Sequence, residues 1–217
     1  MISKRTIFLF VILAFILLPC SVFSFSNEKI ARVRFVYDGD TILLSTGERV
    51  RYIGINAPEL DPRGHKYEFM AIAARRFNTK LVKGKRVRLE FDQEKRDRYG
   101  RLLAYVYIMK TGEMVNALLV KNGMAYVLSE RPNLRYRKLF LKYQREAMQK
   151  KIGLWSRPFK NNEKFYIGNK YSFRFHRPDC PFGKEMNSHN RVIFKNCYEA
   201  FWKGYSPCKR CRPASYR

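Results

Sequence analysis

Three short segments concentrate side chains able to act on a phosphate ester. They are Asp38-Gly39-Asp40-Thr41, then Arg51-Tyr52-Ile53-Gly54-Ile55-Asn56-Ala57-Pro58-Glu59, then Asp97-Arg98-Tyr99-Gly100-Arg101. Displacement at phosphorus needs an activated water, positive charge around the equatorial oxygens and often a metal bridging nucleophile and substrate. Carboxylates and guanidinium groups in these segments can supply all three. Each segment also has a plainer reading. Asp-Gly between two strands is a hairpin signal, Asn56 to Glu59 suits an ordinary Pro-containing loop, and Arg101 suits a solvated strand end. It is the combination that points to a site.

A second set of chemical residues lies near the C-terminus. His176 and Cys180 stand four apart, and Cys208-Lys209-Arg210-Cys211 supplies a C-x-x-C pair. Together they fit a closed tetrahedral zinc site of Cys₃His type. A short segment buries little core of its own and gains from a metal staple. Disulfides compete with this reading, because export favours oxidation and the chain after Cys20 holds an even number of cysteines. Cys197 and His189 are spare and can replace a ligand. A further basic stretch, Arg131, Arg135, Arg137 and Lys138 around Tyr136, suits the phosphates and one stacked base of a nucleic-acid strand, or simply a solvated helix face.

The elements that must carry these residues follow from periodicity. Residues 31–36, 42–44, 49–55, 85–91 and 102–108 read as strands, and 92–99 between the last two as an exposed charged loop. Phe69, Ala73, Phe77 and Leu81 form one stripe of a helix over 67–82, ended by Gly84. Helices are expected at 116–121, before Asn122-Gly123, and at 134–151, before Gly153. Five strands, one inserted helix and terminal helices make an α+β chain built on a five-stranded OB-fold barrel.

The 217 residues are 46% hydrophobic and 15% aromatic, which argues for a packed core and against disorder. A net charge of +26 makes a polyanion the expected partner, either nucleic acid or an anionic membrane surface. At the N-terminus, Lys4 and Arg5 precede an apolar run from Ile7 to Pro19 and then Ser21, Ser24 and Ser26. This is the three-part pattern of an export signal, cleaved after Ser24 or Ser26, so the protein is expected to be secreted or periplasmic. An uncleaved anchor is the lesser alternative and would be its only membrane attachment.

Over about Lys29 to Trp155 the sequence resembles the staphylococcal nuclease family. The resemblance rests on Val36-Tyr37-Asp38-Gly39-Asp40-Thr41, Arg51 with Pro58-Glu59, Asp97 to Tyr105, Met114-Val115-Asn116, and Gly153-Leu154-Trp155-Ser156. It implies an OB-fold enzyme, a Ca²⁺-dependent phosphodiesterase acting on DNA and/or RNA. By position it implies that Asp40, Asn56 and the Ala57 carbonyl hold Ca²⁺. Glu59 then activates the water, Arg51 and Arg101 grip the phosphate, and Tyr99 lies beside the nucleotide. The family's usual second aspartate ligand is here Asn56, so weaker metal binding is expected.

The tail resembles the zinc-binding module of the alkylation-repair protein Ada, through Phe175 to Cys180 and Gly204 to Pro213, with His176 where Ada has a cysteine. The expected layout is a signal peptide over 1–26, a catalytic barrel over 27–156, a linker over 157–164 and a zinc module over 165–217. A monomer without protein partners is expected. The rivals are a non-catalytic nucleic-acid binder on a degenerate barrel and a membrane-surface or cell-wall polyanion binder. The first should have lost Asp40, Arg51, Glu59 and Arg101, which are all present. The second leaves the three motifs unexplained.

Overall fold

The computed structural model describes residues 28–60, 67–160, 162–214 and 216. The expected export signal lies outside them, and among the described residues no helix is long and apolar enough to cross a membrane.

Five strands close a barrel: β1 (Glu28–Val36), β2 (Thr41–Leu44), β3 (Arg49–Tyr52), β5 (Arg86–Glu90) and β6 (Leu102–Ile108), in the spatial order β1-β2-β3-β6-β5. All neighbours are antiparallel except β3 and β6, which run parallel. This is the OB topology expected from the strand order. Alternate residues point inward, so Val33, Ile42, Leu44, Val50, Val87, Leu89, Ala104 and Val106 fill the interior.

The stretch expected as one strand over 49–55 is broken. Gly54 takes a positive φ of 79°, which turns the chain off β3 into a short strand β4 (Ile55–Asn56). There β4 pairs with β7 (Tyr126–Val127). Without that break Asn56 and Ala57 would continue along the barrel wall instead of swinging back over Asp40.

Helix α1 spans Ala71–Val82, starting later than expected because Met70 has a positive φ of 69°. Its buried face is Ala71, Ala74, Asn78 and Val82, whereas Phe77 and Leu81 of the expected stripe pack only partly. Small alanines on that face let the helix press against the Asp38–Asp40 turn. Helix α2 (Val115–Lys121) and helix α3 (Arg137–Gln149) follow. The loop over 92–99 is not wholly exposed, since Asp92 is buried where it accepts hydrogen bonds from the Tyr105 hydroxyl (3.0 Å) and the Arg135 amide (3.2 Å).

The C-terminal region forms a second sheet, β10-β8-β9-β11, from β8 (Tyr166–Asn169), β9 (Arg174–His176), β10 (Arg191–Phe194) and β11 (Ser206–Pro207). A four-residue helix α4 (Pro181–Lys184) and helix α5 (Cys197–Trp202) complete it. Its core is not self-contained. Ala147 and Met148 of α3, with Leu154, Trp155 and Phe159, pack against Tyr166, Phe175 and Phe201 in one apolar cluster. Phe159, within the stretch expected as a linker, is buried and stacks on Phe201 at 5.1 Å. Two polar clamps reinforce the contact: Gln144 Nε2 donates to the Phe201 carbonyl (2.6 Å) and Arg145 Nε to that of Trp202 (2.9 Å).

Candidate active site and metal centre

The turn before β2 lies hard against the chain beyond β4, and Gly39 makes that possible. A β-carbon on Gly39 would stand 2.4 Å from the Ala57 β-carbon and 2.9 Å from that of Ala74, closer than atoms pack. The approach lets the Ala57 amide donate to Asp40 Oδ2 at 2.5 Å. Asp38 braces the turn by accepting from the Asp40 amide (2.9 Å), and the buried Asn78 of α1 donates to the Asp38 carbonyl (3.1 Å) while accepting from the Tyr52 hydroxyl (3.0 Å).

Asp40 is almost completely buried, at 3% exposure, and forms an ion pair with Arg51. The same guanidinium donates to Asn56 Oδ1 at 2.7 Å and to the Ile55 carbonyl at 3.3 Å. Asn56 Nδ2 in turn donates to the Ala57 carbonyl (3.1 Å) and the Tyr126 hydroxyl (3.0 Å). The three oxygens expected as metal ligands are therefore neighbours, and Arg51 is their present counter-charge. As a donor set they are one carboxylate and two neutral oxygens, hard ligands that suit a calcium-sized cation held loosely.

Glu59 and Arg101 stand at the mouth of this cluster. Both line a cavity of about 1200 Å³ with Asp38 and Thr41, walled by Arg75, Arg76 and Lys80 of α1 and by Lys83 just beyond it. Glu59 is exposed, but partial withdrawal from solvent raises its carboxyl pKa above the ordinary value, against the opposing charge of Arg51. Lys209, from the C-terminal sheet region, is near enough to lower it slightly as well. Burial likewise raises the Asp38 pKa, again opposed by Arg51. Arg101 is fixed by Asp97, whose carboxylate accepts from Arg101 Nε (2.7 Å) and the Arg101 amide (3.0 Å). That bond leaves the outer edge of the guanidinium for a ligand.

On the other side of Arg51 and Arg101 lies a cavity of about 690 Å³ that also holds Tyr99, which is 69% exposed under the guanidinium of Arg98. Arg135 and Tyr136 are placed elsewhere. Arg135 pairs with Glu90 (2.6 Å) and Asp92 (3.5 Å), and the Tyr136 hydroxyl donates to Glu90 (2.9 Å). Neither lines the two cavities. Residues outside the three barrel motifs do reach the site: Asn78 and Tyr126 as supports, and Tyr171, Arg174 and Lys209 as a wall, Lys209 lying inside the C-x-x-C pair. No spacing pattern tied Tyr171 or Arg174 to the barrel motifs.

In the C-terminal region, the ligand atoms of His176, Cys180, Cys208 and Cys211 all lie within 4.8 Å of one another. Cys180 Sγ is 3.5 Å from His176 Nδ1. Tetrahedral bonds to sulfur and nitrogen put ligand atoms roughly 3.5–3.8 Å apart, so the cluster has nearly the size of a bound ion. None of the described cysteines is in a disulfide. Burial lowers the His176 pKa, with help from Arg174, and so favours the neutral imidazole that a metal requires. Burial pushes Cys211 up to about 12, a cost that a bound cation reverses. The Arg177 amide points at Cys211 Sγ (3.5 Å), a second contact suited to a thiolate. Cys197 and His189 sit apart, Cys197 against the Pro213 carbonyl and His189 on the surface beside Asn187.

Known proteins share both halves. The profile of staphylococcal nuclease homologues matches residues 49–157, and that of the metal binding domain of Ada matches residues 154–214. A thermonuclease of Staphylococcus intermedius is 41% identical over 128 residues, covering 58% of this chain and 75% of the relative. That of Staphylococcus hyicus is 35% identical over 134 residues, covering 60% and 78%. The SPbeta prophage-derived endonuclease YokF of Bacillus subtilis is 38% identical over 125 residues, covering 55% and 42%. With the OB barrel closed and the motif residues drawn to one face of it, the chain belongs to the staphylococcal nuclease family.

Proposed function

We propose that this protein is an exported nuclease that hydrolyses phosphodiester bonds of DNA and/or RNA with the help of Ca²⁺. The observation that carries the reading is that Arg51 links the other three groups: it pairs with the buried Asp40 and lies within electrostatic reach of Glu59 and Arg101, which share a cavity. The relatives named as thermonucleases and an endonuclease support the reaction class.

Glu59 takes the proton of the attacking water, whose oxygen bonds to phosphorus as the bond to the leaving oxygen breaks. Its raised pKa suits that role, since a base works best when its pKa lies near the operating pH. Arg51 and Arg101 present fixed forks of N–H donors to the equatorial oxygens, where charge builds in the transition state. Asp97 keeps Arg101 aimed. Asp40, Asn56 and the Ala57 carbonyl would hold Ca²⁺, which supplies positive charge beside the phosphate. Arg51, which pairs with Asp40 here, would then be free to turn its guanidinium toward substrate. Tyr99 offers a ring for a neighbouring base.

His176, Cys180, Cys208 and Cys211 would hold a structural Zn²⁺: they supply four protein ligands, which would leave none for substrate. Export rests on the basic-then-apolar N-terminus. The test is cleavage of plasmid DNA and RNA by the purified protein in Ca²⁺ or in EGTA. Cleavage of at least one substrate, abolished by EGTA and restored by Ca²⁺, is the expected result. Binding without cleavage in either buffer would favour a non-catalytic binder.

A further inference from the structure

The cavity beside Arg51 and Arg101 belongs to two parts of the chain. One wall is the barrel, with Asp97, Arg98, Tyr99 and Leu103; the other is the C-terminal region, with Tyr171, Ser172, Arg174 and Lys209. At about 690 Å³ it falls in the range of sites that accept a nucleotide-sized ligand. Tyr171 is 65% exposed and faces the same space as Tyr99. Arg131 lies over the Tyr171 ring at 5.2 Å and donates from Nε to the Tyr171 carbonyl at 3.2 Å, so the ring is held from beneath.

Charge has the right sign. Arg51, Arg98, Arg101, Arg131, Arg174 and Lys209 line the cavity against Glu94, Asp97 and Glu130. Asp97 pairs with Arg101, Glu130 with Arg174 (2.5 Å) and Asp40 with Arg51, which leaves Arg98, Arg131 and Lys209 against Glu94. Lys209 is exposed and sits between the metal-ligand cysteines Cys208 and Cys211, so the turn that closes the metal site also carries this charge to the cleft. The wall is rigidly placed. Besides the shared apolar cluster and the clamps from Gln144 and Arg145, the Arg137 guanidinium packs on Phe173 at 4.2 Å.

We propose that Tyr171, Arg174 and Lys209 form a subsite for a nucleotide next to the scissile phosphate in a single-stranded nucleic acid. Tyr171 stacks the base while Lys209 meets its phosphate, and Arg174, held by Glu130 (2.5 Å) and Ser206 (3.1 Å), lines the wall beside them. Two exposed tyrosines in one basic cleft require bases turned out of a duplex, which selects single strands. The C-terminal region is then part of the substrate site as well as a stabilising appendage. This inference rests on the nuclease reading for the word scissile, but its binding claim can be tested apart from it.

The experiment measures binding of a fluorescent single-stranded DNA oligonucleotide by anisotropy in EGTA, alongside Ca²⁺-dependent cleavage of the same oligonucleotide and of its duplex. Wild type is compared with Tyr171→Ala, Tyr171→Phe and Lys209→Ala, each checked for unchanged metal content. Tyr171→Ala should weaken single-strand binding about tenfold, the size of one base–aromatic stack, and raise KM with little change in kcat. Tyr171→Phe should restore both. Lys209→Ala should weaken binding and flatten its dependence on salt. Binding that survives Tyr171→Ala and Lys209→Ala unchanged would overturn the proposal. So would an equal loss on the duplex after Tyr171→Ala. If wild type binds and these substitutions weaken it while no cleavage occurs, the subsite stands and the nuclease reading fails.

Discussion

The Ala57 amide reaches Asp40 Oδ2 at 2.5 Å across a turn where Gly39 has no side chain to intervene. This contact joins the first motif to the second and holds a buried carboxylate between a main-chain donor and the Arg51 guanidinium. The same approach brings the Ala57 carbonyl and Asn56 beside it.

Gly39→Ala should therefore damage fold and activity together. The added methyl meets Ala57 and Ala74 at impossible distances, so either the turn or α1 must retreat. Such overpacking costs about 1–3 kcal/mol. Urea denaturation should show that loss, and Ca²⁺-dependent cleavage should fall by more than the unfolded fraction explains. Unchanged activity in the folded variant would mean that this approach does not position the site.

Asn56→Asp should lower the Ca²⁺ concentration for half-maximal cleavage. A second carboxylate raises the charge of the ligand set. Arg51, which now donates to Asn56 Oδ1, will bind the aspartate more tightly and oppose the gain, so the shift tests which partner prevails. A calcium titration at fixed substrate reads it; an unchanged or raised requirement would contradict the prediction and show that Arg51, not the cation, takes the new carboxylate.

Removing zinc should unfold more than the tail. Met148 of α3 and Trp155 share a core with Phe175 and Phe201, so loss of the metal staple weakens the packing of the barrel's last helix as well. Elemental analysis of protein purified without chelator should give one zinc per chain. Cys208→Ser should abolish it and lower Tm in a single transition. A barrel that melts unchanged beside an unfolded tail would contradict this coupling.

The acid limb of kcat/KM should lie above pH 4.5, the ordinary value for glutamate. Partial desolvation raises the Glu59 pKa in spite of Arg51, so as pH falls the basic carboxylate is lost earlier than in an exposed glutamate. Strengthening the opposing charge nearby should move the limb back down. A pH–rate profile in constant calcium checks the direction.

Much of the scaffold was legible from residue pattern. The apolar strand at Leu102–Ile108 stands where expected. Ligand spacing points to His176, Cys180, Cys208 and Cys211, with Cys197 and His189 as alternatives, and it is the first four that come together. What pattern cannot convey is approach between distant segments. The break at Gly54 depends on a backbone angle, and the true buried face of α1 is set by the turn it must fit, so small Ala71 and Ala74 displace the bulkier stripe. Asn78, Tyr126 and Asp92 look like surface residues until their partners are known. Arg135 and Tyr136 read as a nucleic-acid contact because Glu90 and Asp92, which engage them, lie far off in sequence. The wall formed by Tyr171 and Lys209 was hidden for the same reason: it exists only because α3 fastens the C-terminal sheet beside the cleft.

The most direct test is Glu59→Gln beside wild type, on plasmid DNA and RNA in saturating Ca²⁺. Gln keeps the shape and the ability to bind a water but cannot take its proton. The expected result is a fall in kcat of about 10²–10⁴-fold with substrate affinity little changed. Equal cleavage by both proteins would contradict the assignment of Glu59 as the base, and with it the chemistry derived for this site.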